Sequence, residues 1–460
     1  MISNLTRQQE ILFNTLEKDK FLHTLKSGLK KIQVVGPELI LGKLFDQIGF
    51  NQIPEELFRH LVISRLVFPL SKLKTAEYLL RYQNIIVEAD AIYRYLDKLN
   101  LQREIVQRIS FDHTLKLFDG HISVVFYDVT TLYFEASDED DLRKSGFSKE
   151  GKHQHPQIVL GLLVSINAYP LAFEMYEGNK FEGHTLLPVV EGFKQKYKLS
   201  KLVVIADAGL LSRDNIAQLT THGYEFIIGA RIKNESDALK KEILSHTYKD
   251  GKSILLKRDD ATNLIVSFAT ARAKKDQKSR QRGLLKLEKQ VSKGRLTKQH
   301  INNRGYNKYL KLQGDIKVTI DYDKFKADAK WDGLKGYITN CNLSKEEIIE
   351  NYKHLWQIEK AFRISKTDLK IRPVYHRLPK RILAHLTIAF CAYKLYKELE
   401  RQLKDTGSLL SPEKALELMK TIYQLKVTLP NSNETIAIYF AEEEQQKALL
   451  KQFGIVLDSD

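Results

Sequence analysis

The stretch Ser123-Val-Val-Phe-Tyr-Asp-Val-Thr-Thr-Leu-Tyr-Phe134 decides how the chain is read. Its β-branched and aromatic residues predict a strand, yet Asp128 stands at its centre, where propensity and burial both disfavour a carboxylate. An exposed residue on an edge strand is the plain explanation. The residues that follow supply another.

Gln157–Ile166 reads as a second strand and Pro170–Gly178 as a third, with Asn167–Tyr169 as a hairpin turn. His184–Tyr197 reads as a helix. Leu202–Asp207 is a short buried strand, followed by a helix capped by Ser212 and closed by Gly223, and Glu225–Arg231 is one more strand. A meander of three strands, then helix, strand, helix, strand, predicts a mixed α/β sheet in ribonuclease-H-like (retroviral-integrase-like) order.

Upstream, residues 1–118 carry apolar residues at helical spacing. This region fits either a helix-turn-helix reader of DNA or a plain helical bundle, with Asp90 placed to cap a helix that exposes Tyr93 and Arg94. Catalytic-type sheet segments are expected at 119–231 and 332–377, a β-rich basic insertion at 232–331, and a helical C-terminal region at 378–460.

The net charge of +16 over 460 residues favours an anionic partner, nucleic acid before membrane. Much of the excess is local: Arg272–Leu312 holds 14 Lys or Arg against Asp276 and Glu288. Arg280, Arg282, Lys286 and Lys289 in this window are candidates for DNA-backbone contact, and a solvated charged hairpin of helices is the alternative. With only Cys341 and Cys391, neither a disulfide framework nor a four-cysteine zinc site is possible. The two histidines of Lys152–Pro156 lack a third ligand and read as loop. The polar N-terminal segment has no signal-peptide core, and the longest apolar stretch, Ile382–Leu395, is short and interrupted by His385 and Lys394. A cytoplasmic protein without membrane contact is expected.

Ser344 and Glu347 form a capping-box pattern, so a helix is predicted from about Lys345 to Lys366. On one unbroken helix, Tyr352, Glu359 and Lys366 would share a stripe, since seven residues are close to two turns. A solvated face is the ordinary reading of such a stripe. In a ribonuclease-H-like sheet, however, the first and fourth strands are neighbours. Asp128 and Asp207 would then be adjacent, with the late helix able to add Glu359. Carboxylates this close repel by roughly 4 kcal/mol per pair at 4 Å and an effective dielectric near 20. A cation between them is required, and oxygen-only ligands suit Mg²⁺ or Mn²⁺, two of which can serve an in-line phosphoryl displacement.

The segments Tyr127–Glu135, Ile205–Ile216, Glu177–Lys180 and, most specifically, Tyr352–His376 (YKHLWQIEKAFRISKTDLKIRPVYH) resemble a DDE transposase of a bacterial insertion sequence. The similar subgroup carries a Tyr-Arg-Glu-Lys helix signature, and the resemblance spans roughly residues 50 to 395. It implies Asp128, Asp207 and Glu359 as catalytic metal ligands for two Mg²⁺ or Mn²⁺ ions, with Tyr352 and Lys366 on transposon-end phosphates. The signature arginine position holds Leu355, and Arg363 is the candidate substitute. In the branch that forms a DNA hairpin, tryptophans hold a flipped base, a role open here to Trp331 or Trp356 as an alternative to core packing. The partners implied are terminal inverted repeats, target DNA and a second copy of the chain. A nuclease without strand transfer and an inactive DNA-binding derivative are the rival readings.

Overall fold

In the computed structural model, residue 20 and residues 28–457 are described, apart from 148–150, 153, 181–183, 200–201, 211, 295, 303–304, 314–316 and 429–433. His153 of the two-histidine loop and most of the first 27 residues therefore lie outside the described residues. The described residues include, in order, strand β1 (Leu29–Val34) and helices α1 (Glu56–Val67), α2 (Ala89–Leu99) and α3 (Arg103–Leu117). It continues with β2 (Val124–Tyr133), β3 (Gln157–Ser165), β4 (Pro170–Glu177), α4 (Leu186–Tyr197), β5 (Val203–Ala206), α5 (Arg213–Thr221) and β6 (Glu225–Ala230). The segment expected as an insertion carries β7 (Ser253–Lys257), β8 (Asn263–Phe268), α6 (Thr270–Ser292), β9 (Leu310–Gln313) and β10 (Lys317–Ile320). Then follow β11 (Leu334–Thr339), α7 (Lys345–Lys353), α8 (Trp356–Thr367), α9 (Pro379–Asp405), β12 (Tyr423–Thr428) and β13 (Thr435–Phe440).

The main sheet has eight strands in the order β4-β3-β2-β5-β6-β11-β8-β7. Pairing is antiparallel for β3–β4, parallel for β2–β5 and β5–β6, and antiparallel for β6–β11, β11–β8 and β8–β7. This is the mixed sheet of a ribonuclease-H-like fold. β11 and two strands of the basic segment extend it, so that segment is partly continuous with the sheet. β11 itself was not legible beforehand, because Lys335 and Gly336 weaken its pattern.

The chain forms two compact units. One comprises residues 1–122, 129–180 and 357–460, and the other comprises 123–128 and 181–356. In the first, α9 is buried on nearly all sides from Ile382 to Leu399, as an all-round apolar helix must be, and α1, α2, α3 and β4 pack on it. Lys394 interrupts that run safely: its ammonium donates to Ser110 O at 3.0 Å and lies 4.4 Å from the Tyr169 ring centroid. The C-terminal region is mainly helical and also holds the hairpin β12–β13, which pairs through β12 with β1. Asp90 does not cap α2. Glu88 occupies the cap position in extended backbone, and Asp90 falls in the first turn, where its charge still suits the helix dipole.

In the second unit, Ser212 caps α5 by accepting from Asn215 N at 3.0 Å. Helix α6 lays Leu287 on the β9–β10 hairpin, burying it with Tyr309, Leu310, Val318 and Ile320. No helix among the described residues is long and apolar enough to cross a membrane.

Candidate active site

Tyr127 of β2 is paired with Ala206 of β5 in parallel register. The next residues on the two chains are Asp128 and Asp207. Side chains alternate along a strand and neighbouring strands lie about 4.8 Å apart, so a register continued by one residue would set Asp128, within β2, and Asp207, just past β5, on one face. Each is only partly buried, although Phe126, Tyr127, Ile205 and Ala206 before them are fully buried. The buried residues before them fix Asp128 within β2 and Asp207 just past the carboxyl end of β5, the strand that pairs with it.

Asp207 is further held by the turn it starts. Its Oδ1 accepts from Gly209 N at 2.7 Å and from Leu210 N at 3.2 Å. Those bonds leave Oδ2 available to a ligand. A Cβ on Gly209 would lie 2.9 Å from Oδ1 and 3.3 Å from Oδ2, so the glycine is what lets the carboxylate turn back over its own loop.

Tyr352 comes from α7 and is buried. Its hydroxyl crosses Gly229 of β6: a Cβ there would meet it at 2.3 Å and Ala208 N at 3.2 Å. The phenol therefore lies beside the Asp207 turn. Lys335 of β11 stands 4.4 Å from the Tyr352 ring centroid, and Tyr337 meets that ring edge-on at 4.9 Å. Neither Gly229 nor Lys335 carried a signal in the sequence; only strand pairing brings them here.

The single helix expected over 345–366 is two. The capping box at Ser344 and Glu347 forms, with reciprocal bonds of 3.2 and 2.9 Å. The chain then tightens to three-residue bonds at His354 and Leu355, and α8 starts afresh at Trp356. Seven-residue spacing presumes an uninterrupted helix, so Tyr352 does not share a stripe with Glu359 and Lys366. Those two remain on one helix. Glu359 and Arg363 are exposed one turn apart on α8, and Lys366 is half-buried two turns from Glu359. Ile358, Ala361, Phe362 and Ile364 bury the opposite face.

Trp356 is 52% exposed at the start of α8. Trp331 is half-buried, with the Lys233 ammonium 5.9 Å from its ring centroid. On α6, Arg280 is tied to Asp332 at 2.6 Å and lies 4.7 Å from the Phe325 ring centroid, whereas Arg282, Lys286 and Lys289 are exposed. The pair of aspartates suits a hard divalent cation by donor type and register. Among the described residues, no group of three or more His, Cys, Asp or Glu side chains is placed to hold a metal ion.

This is a mixed sheet in ribonuclease-H-like order, with Asp128 and Asp207 on two of its central, parallel-paired segments. Residues 119–395, more than half of the chain, match the family described as the transposase DDE domain, and the chain belongs to that family, whose members are metal-dependent enzymes of DNA cleavage and transfer. The chain is similar to piggyBac transposase in its synaptic complex with hairpin DNA, at 11% identity over 79% of this chain and 78% of that one, with a TM-score of 0.38. It is similar over a shorter part to Mos1 transposase in a paired-end complex with the left transposon end: 12% identity, 34% of this chain and 53% of that one, TM-score 0.17. No curated protein matches the chain.

Proposed function

We propose that the protein is the transposase of an insertion sequence of the subgroup with the Tyr-Arg-Glu-Lys signature. It binds terminal repeats, cuts phosphodiester bonds and joins the freed 3′ ends to target DNA. The observation that carries this reading is the parallel pairing of Tyr127 with Ala206, the residues just before Asp128 and Asp207, inside the segment that matches the family.

In this account Asp128 and Asp207 are the first two ligands for Mg²⁺ or Mn²⁺, and Glu359 of α8 is the third carboxylate. A pair of such ions supplies charge neutralisation at the phosphoryl oxygens and a water acidic enough to attack at neutral pH. The strand ends hold the aspartates still, as a site of this accuracy demands, and the backbone bonds to Oδ1 fix the rotamer of Asp207. Lys366 and Arg363 face phosphates of the bound end, with Arg363 taking the part that Leu355 cannot. Tyr352, buried beside the Asp207 turn, orders that turn and offers its hydroxyl to a phosphate that reaches it. Trp356 is exposed enough to stack on an extruded base, and Trp331 is the second candidate. Exposed Arg282, Lys286 and Lys289 of α6 contact the DNA backbone, with Arg280 bracing the helix through Asp332. Two copies of the chain act together, because two ends are joined at one target, and the protein works in the cytoplasm on the bacterial nucleoid.

The test is a cleavage and joining assay on a DNA fragment carrying the element's ends, with Mn²⁺, using wild type, Asp128→Asn, Asp207→Asn and Glu359→Gln. Cleaved and joined products from wild type, and neither from the variants, support the proposal. Cleavage without joining identifies a nuclease instead. Equal products from wild type and the variants would remove the carboxylates from the mechanism.

A further inference from the structure

The unit built on α9 encloses a cavity of about 490 Å³. Arg65, Lys72, Lys370, Arg372, Arg377 and Arg381 line it, together with His376 and His385, and no acidic residue does. These come from the end of α1, the start of the short helix Lys72–Tyr78, the Lys370–Leu378 segment and the first turns of α9.

The buried members are the informative ones. Arg65 is 6% exposed, and its one hydrogen bond among the described residues runs from Nη1 to Leu369 O at 3.4 Å, leaving Nε without a partner. Lys72 is 5% exposed, and no carboxylate among the described residues offsets its ammonium. His385 donates from Nε2 to Ile371 O at 3.1 Å, and its Nδ1 has no partner. Arg381, by contrast, is already offset by Asp97 at 2.8 Å. An unpaired buried cation costs several kcal/mol, so proteins seldom keep one without an anion to meet it. Two such cations side by side are costlier still. Burial and the Arg65 charge push the Lys72 ammonium well below its usual range, and burial with Lys72 and Arg65 holds His376 down at about 4.

We infer that this cavity is a binding site for a phosphate group, met by Arg65 and Lys72 from within and by Arg372 and Arg377 nearer the mouth. Arginine forks and a lysine point charge are the groups that recognise phosphate oxygens. The volume lies in the range of small-molecule sites, roughly 300–1,000 Å³, and so admits a phosphate together with the sugar or chain that bears it. Exposed Tyr375 at the rim, 74% accessible, offers that attached group an aromatic face. The phosphate can be a DNA backbone phosphate or a free one.

Calorimetry and thermal unfolding of the full chain with inorganic phosphate, against chloride at matched ionic strength, test the inference in wild type, Lys72→Met and Arg65→Met. Methionine keeps the apolar stem and removes the charge, so both variants should fold at least as stably as wild type without phosphate. The expected result is saturable binding and a raised Tm in wild type, weakened about tenfold or more in each variant. No saturable phosphate binding, or equal binding in wild type and both variants, overturns it. Arg377→Ala, at the exposed rim, repeats the comparison if either buried variant misfolds.

DNA binding by the same proteins separates the two sources. Competition by phosphate, with a salt slope shallower by about 1 in the variants, assigns a DNA phosphate. An unchanged slope assigns a free one. The DNA arm rests on the reading of the preceding section, whereas phosphate binding does not. A wild type that binds phosphate here but fails to cut DNA contradicts only that earlier reading.

Discussion

Asp128 is costly in a strand interior unless something positive meets it, and the residue before it pairs with the residue before another aspartate, Asp207. Asp128→Asn keeps the shape and removes the charge. Because second-shell changes alone cost metal sites about 10–100-fold, loss of this ligand is expected to lower DNA cleavage by more than about 100-fold while leaving Tm unchanged or higher. An end-cleavage assay and a melting curve on one preparation check both parts. Gly209→Ala is the subtler variant. Its Cβ would displace the Asp207 carboxylate rather than the backbone, so cleavage should fall about tenfold with little change in Tm. At Gly229 the added carbon meets the Tyr352 hydroxyl at 2.3 Å, a collision inside a packed region, and Gly229→Ala should cost about 1–3 kcal/mol in denaturant unfolding.

At the scale of elements, signals between residues close in sequence are legible and those between distant residues are not. The strand around Asp128, the buried strand before Asp207, the Ser212 cap and the Ser344–Glu347 capping box all rest on residues a few positions apart. Each formed where expected. The break at His354 and Leu355 has no proline or glycine to announce it, so a seven-residue stripe through Tyr352 looked continuous. Gly229, Lys335 and Tyr352 come together only through strand pairing and helix packing, which spacing along the chain does not encode. Strands β1, β12 and β13 carry little local signal: each is short and half-exposed, and the pairing of β1 with β12 joins segments some 400 residues apart. Ser344→Ala removes one side of the box that starts α7. It should destabilise the chain by about 1 kcal/mol and slacken Tyr352 against Gly229, which chemical denaturation and amide exchange of residues 345–353 would register.

For the whole molecule, the fold class and the order of the central strands were legible because ribonuclease-H-like topology is written in the succession of short strands and helices. The basic cavity was not legible, since its cations come from segments some 300 residues apart and none is unusual alone. Two histidines in the α9-centred unit give a pH signature. Burial holds His376 and His113 at about 4, each reinforced by lysine neighbours, Lys72 for the first and Lys394 for the second. Unfolded histidine titrates near 6.5. Between those values the unfolded chain takes up protons that the folded chain refuses, so stability falls as pH drops from about 6.5 towards 4, by up to ~1.4 kcal/mol per pH unit for each histidine. Above 6.5 these two groups contribute no slope. Denaturant midpoints across pH 4 to 8 check the direction, and His376→Asn should flatten part of the curve.

The central claim is that Asp128 and Asp207 exist to hold a divalent cation, and Mn²⁺ calorimetry tests it most directly, with and without DNA, on wild type, Asp128→Asn and Asp207→Asn. The account predicts saturable Mn²⁺ binding by wild type, strengthened by DNA and lost or weakened at least tenfold in either variant. Wild type that binds no Mn²⁺ even with DNA, or variants that bind it as well as wild type does, would contradict the account and return Asp128 to the role of an ordinary strand residue.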